Sequence, residues 1–489
     1  MVRAHHNRTD EGRCAPASRR WVLAATILAS AMAFIDGSVV GIALPVLQRE
    51  LGAGFVLVQW VVNGYALFLA ALLLVGGAAG DRFGRRRVFV IGIAVFTVAS
   101  LGCALAPGIL SLIAARALQG IGAALLVPQS LAILSAAFPP EIRGRAIGTW
   151  AGAASITTAL GPAVGGFLID GLGWRAAFWI NPPLAAVAIF LTLRHVPESR
   201  SGTAGPLDWR GAVLAVLASA LITLGLTGLA EPGGRPPAAG ALVAGLLAGA
   251  AFLRAERRAE APLVPLGLFA DRVFTAANLL TLALYGALSG ILFLLPFELI
   301  GRRGLSPGEV GLVLLPLGLI IGLFARPAGE LADRHGARGF LAAGSALVAL
   351  SAGWLTLGLP GLATGILAPI ALLGIGMALV VAPVTTVVMN AAPEGAAGAA
   401  SGINNTASRF AGLLAIAVVT ALAASVFTAS GGGDGRFGVF PPPGDPSAAA
   451  VDRAFARAWI FAMAANAILA GAAALVAWRM PPPRGTDPS

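Results

Sequence analysis

No lysine occurs in the 489 residues, and all 33 basic side chains are arginine. Charge of either sign is scarce, at 11% of residues, where a soluble domain carries about 25%. That scarcity excludes a water-solvated globule. With 57% hydrophobic residues and a mean hydropathy of +0.86, lipid must wet most of the surface. Cysteine is limited to Cys14, in a hydrophilic stretch, and Cys103, in an apolar one, so neither a disulfide nor a metal–thiolate site is expected. The four histidines (His5, His6, His195, His335) fall in polar segments, and no nucleotide loop, metal-ligand cluster or Ser-His-Asp arrangement occurs. No metal or cofactor is expected, and a membrane-embedded enzyme or sensor is disfavoured.

The net charge of +11 is spread over short polar segments between apolar runs, not along one face. It therefore reads as membrane topology and not as nucleic-acid binding. The all-arginine bias, with abundant alanine and glycine, points to a GC-rich bacterial genome. The first apolar run, Trp21 to Pro45, is too long for a signal-peptide core of about 7–15 residues and contains Asp36, so no cleavable leader is expected.

A bilayer crossing needs about 20 mostly apolar residues. The chain offers such runs near 21–45, 55–79, 88–106, 108–136, 146–170, 176–194, 211–229, 238–254, 273–297, 307–327, 339–358, 362–388, 398–425 and 455–478, which predicts fourteen spans and an all-α membrane fold. A ten-residue phrase occurs twice between such runs. Gly77-Ala78-Ala79-Gly80-Asp81-Arg82-Phe83-Gly84-Arg85-Arg86 returns as Gly329-Glu330-Leu331-Ala332-Asp333-Arg334-His335-Gly336-Ala337-Arg338, a constant 252 positions later. Duplication of a helix–loop–helix unit implies two related halves, as in many secondary transporters. The copies follow spans 2 and 10, so two additional helices, spans 7 and 8, must lie between the halves.

An even number of spans puts both termini on one side. That side holds 23 of the arginines and the opposite side eight, which assigns both tails to the cytoplasm. The loop near 428–454 is then extracellular, and both repeated loops are cytoplasmic. In the loop, Gly84 suits a tight turn, and Asp81 can meet a helix N-terminus or an arginine of a neighbouring helix. Gly77, Asp81, Arg82, Gly84, Arg85, Arg86, Asp333 and Arg334 are thus candidates for a charged clasp at an inner gate, or for a loop that only fixes topology.

An acid and a base lie inside the apolar spans 1 and 4. Asp36 precedes Pro45 by nine residues and Arg116 follows Pro107 by nine, which sets each about 13 Å below the outer surface. An acid and a base at equal depth can pair or exchange a proton, whereas either alone in hydrocarbon costs at least about 2.5–3.5 kcal/mol. The alternatives are an interfacial acid for Asp36 and a donor to neighbouring carbonyls for Arg116. Span 5 carries glycine pairs four apart, Gly148/Gly152 and Gly161/Gly165, where another backbone can approach, and Pro162 introduces a pivot. Candidate substrate contacts are Gln59, Trp60, Asn63 and Tyr65 in span 2, Glu298 at the outer end of span 9, and Asn404 in span 13. Trp60 is equally an interfacial anchor. Asn390, Asn404, Asn405 and Arg409 equally serve as polar glue between helices.

The chain resembles the major facilitator superfamily, in particular its fourteen-span drug:proton antiporters. Gly77–Arg86 is similar to the superfamily signature between helices 2 and 3. Arg116-Ala117-Leu118-Gln119-Gly120-Ile121-Gly122-Ala123 resembles the Arg-x-x-Gln-Gly-x-Gly-Ala motif associated with proton coupling. Gly161-Pro162-Ala163-Val164-Gly165-Gly166 resembles the exporter element, and Asp36 to Pro45 the family's first-helix motif. The similarity runs from Trp21 to Trp478, with departures at Thr157 and Ala337, where the family often has Gly and Arg.

The resemblance implies two six-helix bundles at 21–200 and 261–478, two additional helices and a linker at 201–260, and cytoplasmic tails at 1–20 and 479–489. It implies a monomeric carrier of a bacterial plasma membrane that exchanges protons, through Asp36 and Arg116, for drug-like small molecules by alternating access. Gly161, Pro162, Gly165 and Gly166 form its antiporter element. A proton-coupled metabolite symporter, or an exporter of a single endogenous metabolite, is the alternative.

Overall fold

Backbone groups in hydrocarbon have no water to bond, so a lipid-wetted chain folds into helices that satisfy their own hydrogen bonds. The computed structural model describes residues 16–201, 207–229, 235–393, 396–433, 437–442 and 444–481, and among these there is no strand. Most of the two expected tails, Cys14 and positions 202–206 of the expected linker lie outside the described residues.

Fourteen helices are long and apolar enough to cross a membrane. They are α1 (Arg19–Glu50), α2 (Phe55–Phe83), α3 (Arg85–Ala104), α4 (Ile109–Ala137), α5 (Pro140–Leu172), α6 (Ala176–His195), α7 (Trp209–Gly228), α8 (Arg235–Glu256), α9 (Arg272–Pro296), α10 (Pro307–His335), α11 (Ala337–Leu355), α12 (Ala368–Asn390), α13 (Ala397–Ala429) and α14 (Ala448–Trp478). Several run beyond the apolar stretches that announce them. α1, α5 and α10 continue through polar ends such as Arg19, Glu141 and Asp333, because a helix does not stop where lipid does.

Local chemistry sets the ends. Ser306 and Glu309 form a reciprocal capping box at the start of α10, and the Asp271 carboxylate accepts from the Val273 and Phe274 amides to open α9. The two repeated loops turn at Gly84 and Gly336, with φ of 107° and 90°, a region that side-chain-bearing residues avoid. The repetition in sequence is thus a repetition in backbone geometry.

α1 to α6 pack largely on one another, as do α9 to α14; α7 and α8 pair with each other, and α7 touches α2 and α13. The two sets meet along α2 against α13, α5 against α10, and α1 against α9. With fourteen crossings both chain ends emerge on one side, called here the tail side.

The opposite, far side is closed. Gln48 Nε2 donates to the Phe437 carbonyl at 3.0 Å, Phe55 packs against Phe297 and Phe437 at 5.3 and 4.6 Å, and the Gly308 amide donates to Asp170 at 2.8 Å. The α5–α10 seam is tight at Ala159 against Gly318 and looser at Ser155 against Gly322, and farther toward the tail side Gly148 and Gly152 of α5 meet nothing within 4 Å. Only the second of the two glycine pairs in α5 is therefore used for close packing. Along α5 and α10 the two sets are joined on the far side and part toward the tail side, while α2 and α13 stay in contact as far as Leu74 and Gly402.

Candidate functional site

The residues that could carry charge chemistry gather in the middle of α1, α2 and α4. A spacing of three residues puts Arg116 and Gln119 on one face of α4, and Asp36 of α1 faces both. Arg116 Nη1 donates to Asp36 Oδ2 at 2.5 Å and to Gln119 Oε1 at 2.6 Å, and Gln119 Nε2 donates to Asp36 Oδ1 at 2.8 Å. Arg116 Nε reaches the Val61 carbonyl at 3.1 Å, and the guanidinium lies 4.3 Å from the centre of the Tyr65 ring. Cys103, a free buried thiol, donates to Gln119 Oε1 at 3.7 Å.

Asp36 and Arg116 are 0% and 1% exposed. A charge so enclosed persists only with its partner, and removal of one member of such a pair costs about 3–5 kcal/mol. Both carboxylate oxygens of Asp36 are engaged, so a proton arriving there weakens its hold on Arg116 and Gln119.

Glycines bring the backbones close enough for this cluster to form. A side chain at Gly120 would collide with the Tyr65 carbonyl, one at Gly122 with Phe96, and one at Gly76 with Ala124. The Gly-Pro element of α5 serves two interfaces. Gly161 and Gly165 press on Ser38 and Val39 of α1, beside Asp36, while Gly166 presses on Pro307 of α10 in the other set, and Gly311 of α10 presses back on Pro162.

The repeated loops differ in their engagement. In the first, Arg85 bonds Asp81 at 2.8 Å, and Glu198 accepts from the Arg86 and Arg87 amides at 3.1 and 3.2 Å, which caps α3. Gly84 lies so close to Glu198 that a Cβ there would stand 2.7 Å from the carboxylate. Gly77 and Gly329 occupy matching places, against Pro128 of α4 and Ala382 of α12, and Arg82 is exposed beside the Phe83 ring. Asp333 and Arg334 of the second copy are exposed and form no ion pair among the described residues. Among the described residues, the charged contacts of these loops lie within one set of helices and do not cross the cleft.

The substrate candidates separate. Gln59 accepts from Thr420 of α13 at 3.0 Å, across the two sets, and Asn63, 0% exposed, has neither amide atom bonded. Trp60 is half-buried, and Tyr65 belongs with Arg116. Glu298 is enclosed, bonded by Arg303 at 2.8 Å and Arg302 at 3.4 Å, with Arg302 also on Asp452 at 2.6 Å. Asn404 bonds Asn278 and Thr281 of α9, and Asn390 and Asn405 are exposed. A separate cavity of about 420 Å³ between the tail-side ends of α9 and α14 is remote from the Asp36 cluster.

In the sequence Gln119 stands out only as part of the Arg116 motif, yet it holds both members of the pair; its i,i+3 spacing from Arg116 is the available signal. Glu198 gave none, because its target is more than a hundred residues away in the chain.

The sequence matches the Major Facilitator Superfamily over residues 26–416. The chain belongs to that superfamily. It is a multi-pass membrane protein of a transporter fold. It is 35% identical to the multidrug resistance protein Stp of Mycobacterium tuberculosis, over 83% of this chain and 76% of that one. It is 36% identical to the tetracenomycin C resistance and export protein of Streptomyces glaucescens, with the same coverage, and 37% identical to the cephamycin export protein CmcT of Amycolatopsis lactamdurans, over 83% and 84%. Among solved structures, a bacterial homolog of the human lysosomal transporter Spinster aligns with a TM-score of 0.70 at 18% identity, covering 95% of this chain and 97% of that one. The POT family transporter PepTSo aligns with a TM-score of 0.64 at 18% identity and the same coverage. These two structures share the superfamily fold.

Proposed function

We propose that this superfamily member exports drug-like or antibiotic small molecules from a bacterial cell and is driven by protons entering in exchange. The relatives named for drug resistance support the cargo class, and those named for export support the direction. One observation carries the coupling: Asp36, enclosed and held on both oxygens by Arg116 and Gln119.

Protonation removes the charge that Arg116 is paired with. The guanidinium is then left enclosed without compensation, which costs about 3–5 kcal/mol unless the helices rearrange. α1 is free to respond because Gly161 and Gly165 present only backbone to its Asp36 turn, and the same segment of α5 meets α10 through Gly166. A proton taken from the far side thereby acts on the seam between the two sets. The tail side is the cytoplasm by its arginine excess, and cargo enters there while the far side is shut. The carrier works as a monomer, since pair, seam and cleft all belong to one chain.

The test is an efflux and susceptibility panel in a host lacking its own pumps. Asp36→Asn is expected to abolish pH-driven efflux at undiminished protein abundance. Unimpaired pH-driven efflux by that variant would sink the coupling role of Asp36, and inward cargo movement by wild type in oriented vesicles would favour a symporter.

A further inference from the structure

Tyrosine occurs only at Tyr65 and Tyr285, and the charge of one exposed arginine, Arg409, acts on both. Of the arginines far from a helix end, Arg116 is enclosed and paired. Arg409 is exposed and forms no ion pair among the described residues. It stands twelve residues into α13, about 18 Å from the tail-side end. An arginine at that depth is stable only where water or a polar ligand reaches it, so it marks the cleft.

Helix register places the tyrosines beside it. α13 runs alongside α9 with Asn404 on Asn278 and Thr281 and with Gly412 on Ser289, which levels Tyr285 with Arg409. α13 meets α2 with Gly402 at Leu74 and Thr420 at Gln59, and between those contacts Arg409 comes level with Tyr65. The Arg409 charge lies within Coulombic range of both phenols. Neither hydroxyl has a hydrogen-bond partner among the described residues. One unpaired guanidinium and two unspent phenol groups, contributed by α2, α9 and α13, therefore converge from both sides of the cleft.

Resting on the exporter reading above, we propose that Arg409, Tyr65 and Tyr285 form a cargo subsite for an anionic oxygen, a carboxylate or acidic phenol, carried on an aromatic framework. The guanidinium supplies the charge and a planar fork of donors, which suits such an oxygen better than a cation or a purely apolar drug. The phenols add donors on rigid rings with little entropy to lose. Tyr65 belongs to both places, because its ring also packs on Arg116 of the coupling cluster. Cargo at Arg409 thus touches the side chain that lies against the proton-bearing pair.

The test uses a fluorescent aryl carboxylate and its methyl ester, measured for binding to the purified full-length protein and for efflux from cells lacking other pumps. Wild type is expected to bind and export the carboxylate in preference to the ester, with binding weakened by salt. Arg409→Gln should weaken carboxylate binding about ten- to hundredfold and leave the ester within twofold, the scale of a lost charge-assisted hydrogen bond. Arg409→Lys should recover part of the loss. Equal losses for both compounds, or no loss for the carboxylate, would overturn the subsite while leaving export intact. Wild type that exports neither these compounds nor any member of the efflux panel would overturn the exporter reading, and the subsite with it.

Discussion

An enclosed guanidinium sets the terms at the residue scale. Arg116 bonds Asp36, Gln119 and the Val61 carbonyl and is 1% exposed. Arg116→Ala should destabilise the protein by about 3–5 kcal/mol, because Asp36 is left enclosed without its counter-charge. The double variant Asp36→Asn/Arg116→Gln should cost less than the sum of its single changes, and thermal unfolding of the four proteins reads that difference. The pair was legible in the sequence because an acid and a base inside apolar runs lie at equal depth from two prolines. What Gln119 and Asn63 bind was not, since an amide in an apolar helix looks alike whether it binds a charge, a cargo or the next helix. Glu298 reads as a free outer carboxylate only until the fold brings Arg302 and Arg303 onto it.

At the scale of helices, α5 and the segment around Phe437 control movement in different ways. α5 offers glycine to α1 on one face and to α10 on the other, so bulk at either contact should block the carrier without touching a charge. Gly165→Leu must displace Val39, and it should stop efflux while Asp36 remains chemically intact; an efflux assay at matched abundance checks this. Phe437 joins Phe55, Phe427 and Phe455 and holds α1 through Gln48, which bolts the far side. Phe437→Ala removes about 3–5 kcal/mol of such packing. It should therefore speed maleimide labelling from the far side of a cysteine at Val58, in a chain with Cys14 and Cys103 replaced by serine. The spans themselves were legible because lipid imposes a length on an apolar helix. The role of the 428–454 loop was not, because its Gly- and Pro-rich composition suggests flexibility and does not reveal that Phe437 is buried among four helices.

For the whole molecule, the repeated loop in the sequence becomes two matching turns, at Gly84 and Gly336, in two sets of helices with a shared seam. The number of residues between the copies fixed the place of α7 and α8, but not the state of the cleft. That state depends on contacts such as Asp170 with Gly308, between residues far apart in the chain. A molecule joined on one side and parted along α5 and α10 on the other, with an enclosed carboxylate beside the seam, is built to trade one occupant for another. The decisive measurement follows internal pH and cargo together in sealed vesicles containing the purified protein. A cargo gradient should drive protons the opposite way in wild type and move none in Asp36→Asn. Cargo movement with no opposing proton flow in wild type, or an undiminished proton flow in Asp36→Asn, would contradict the account.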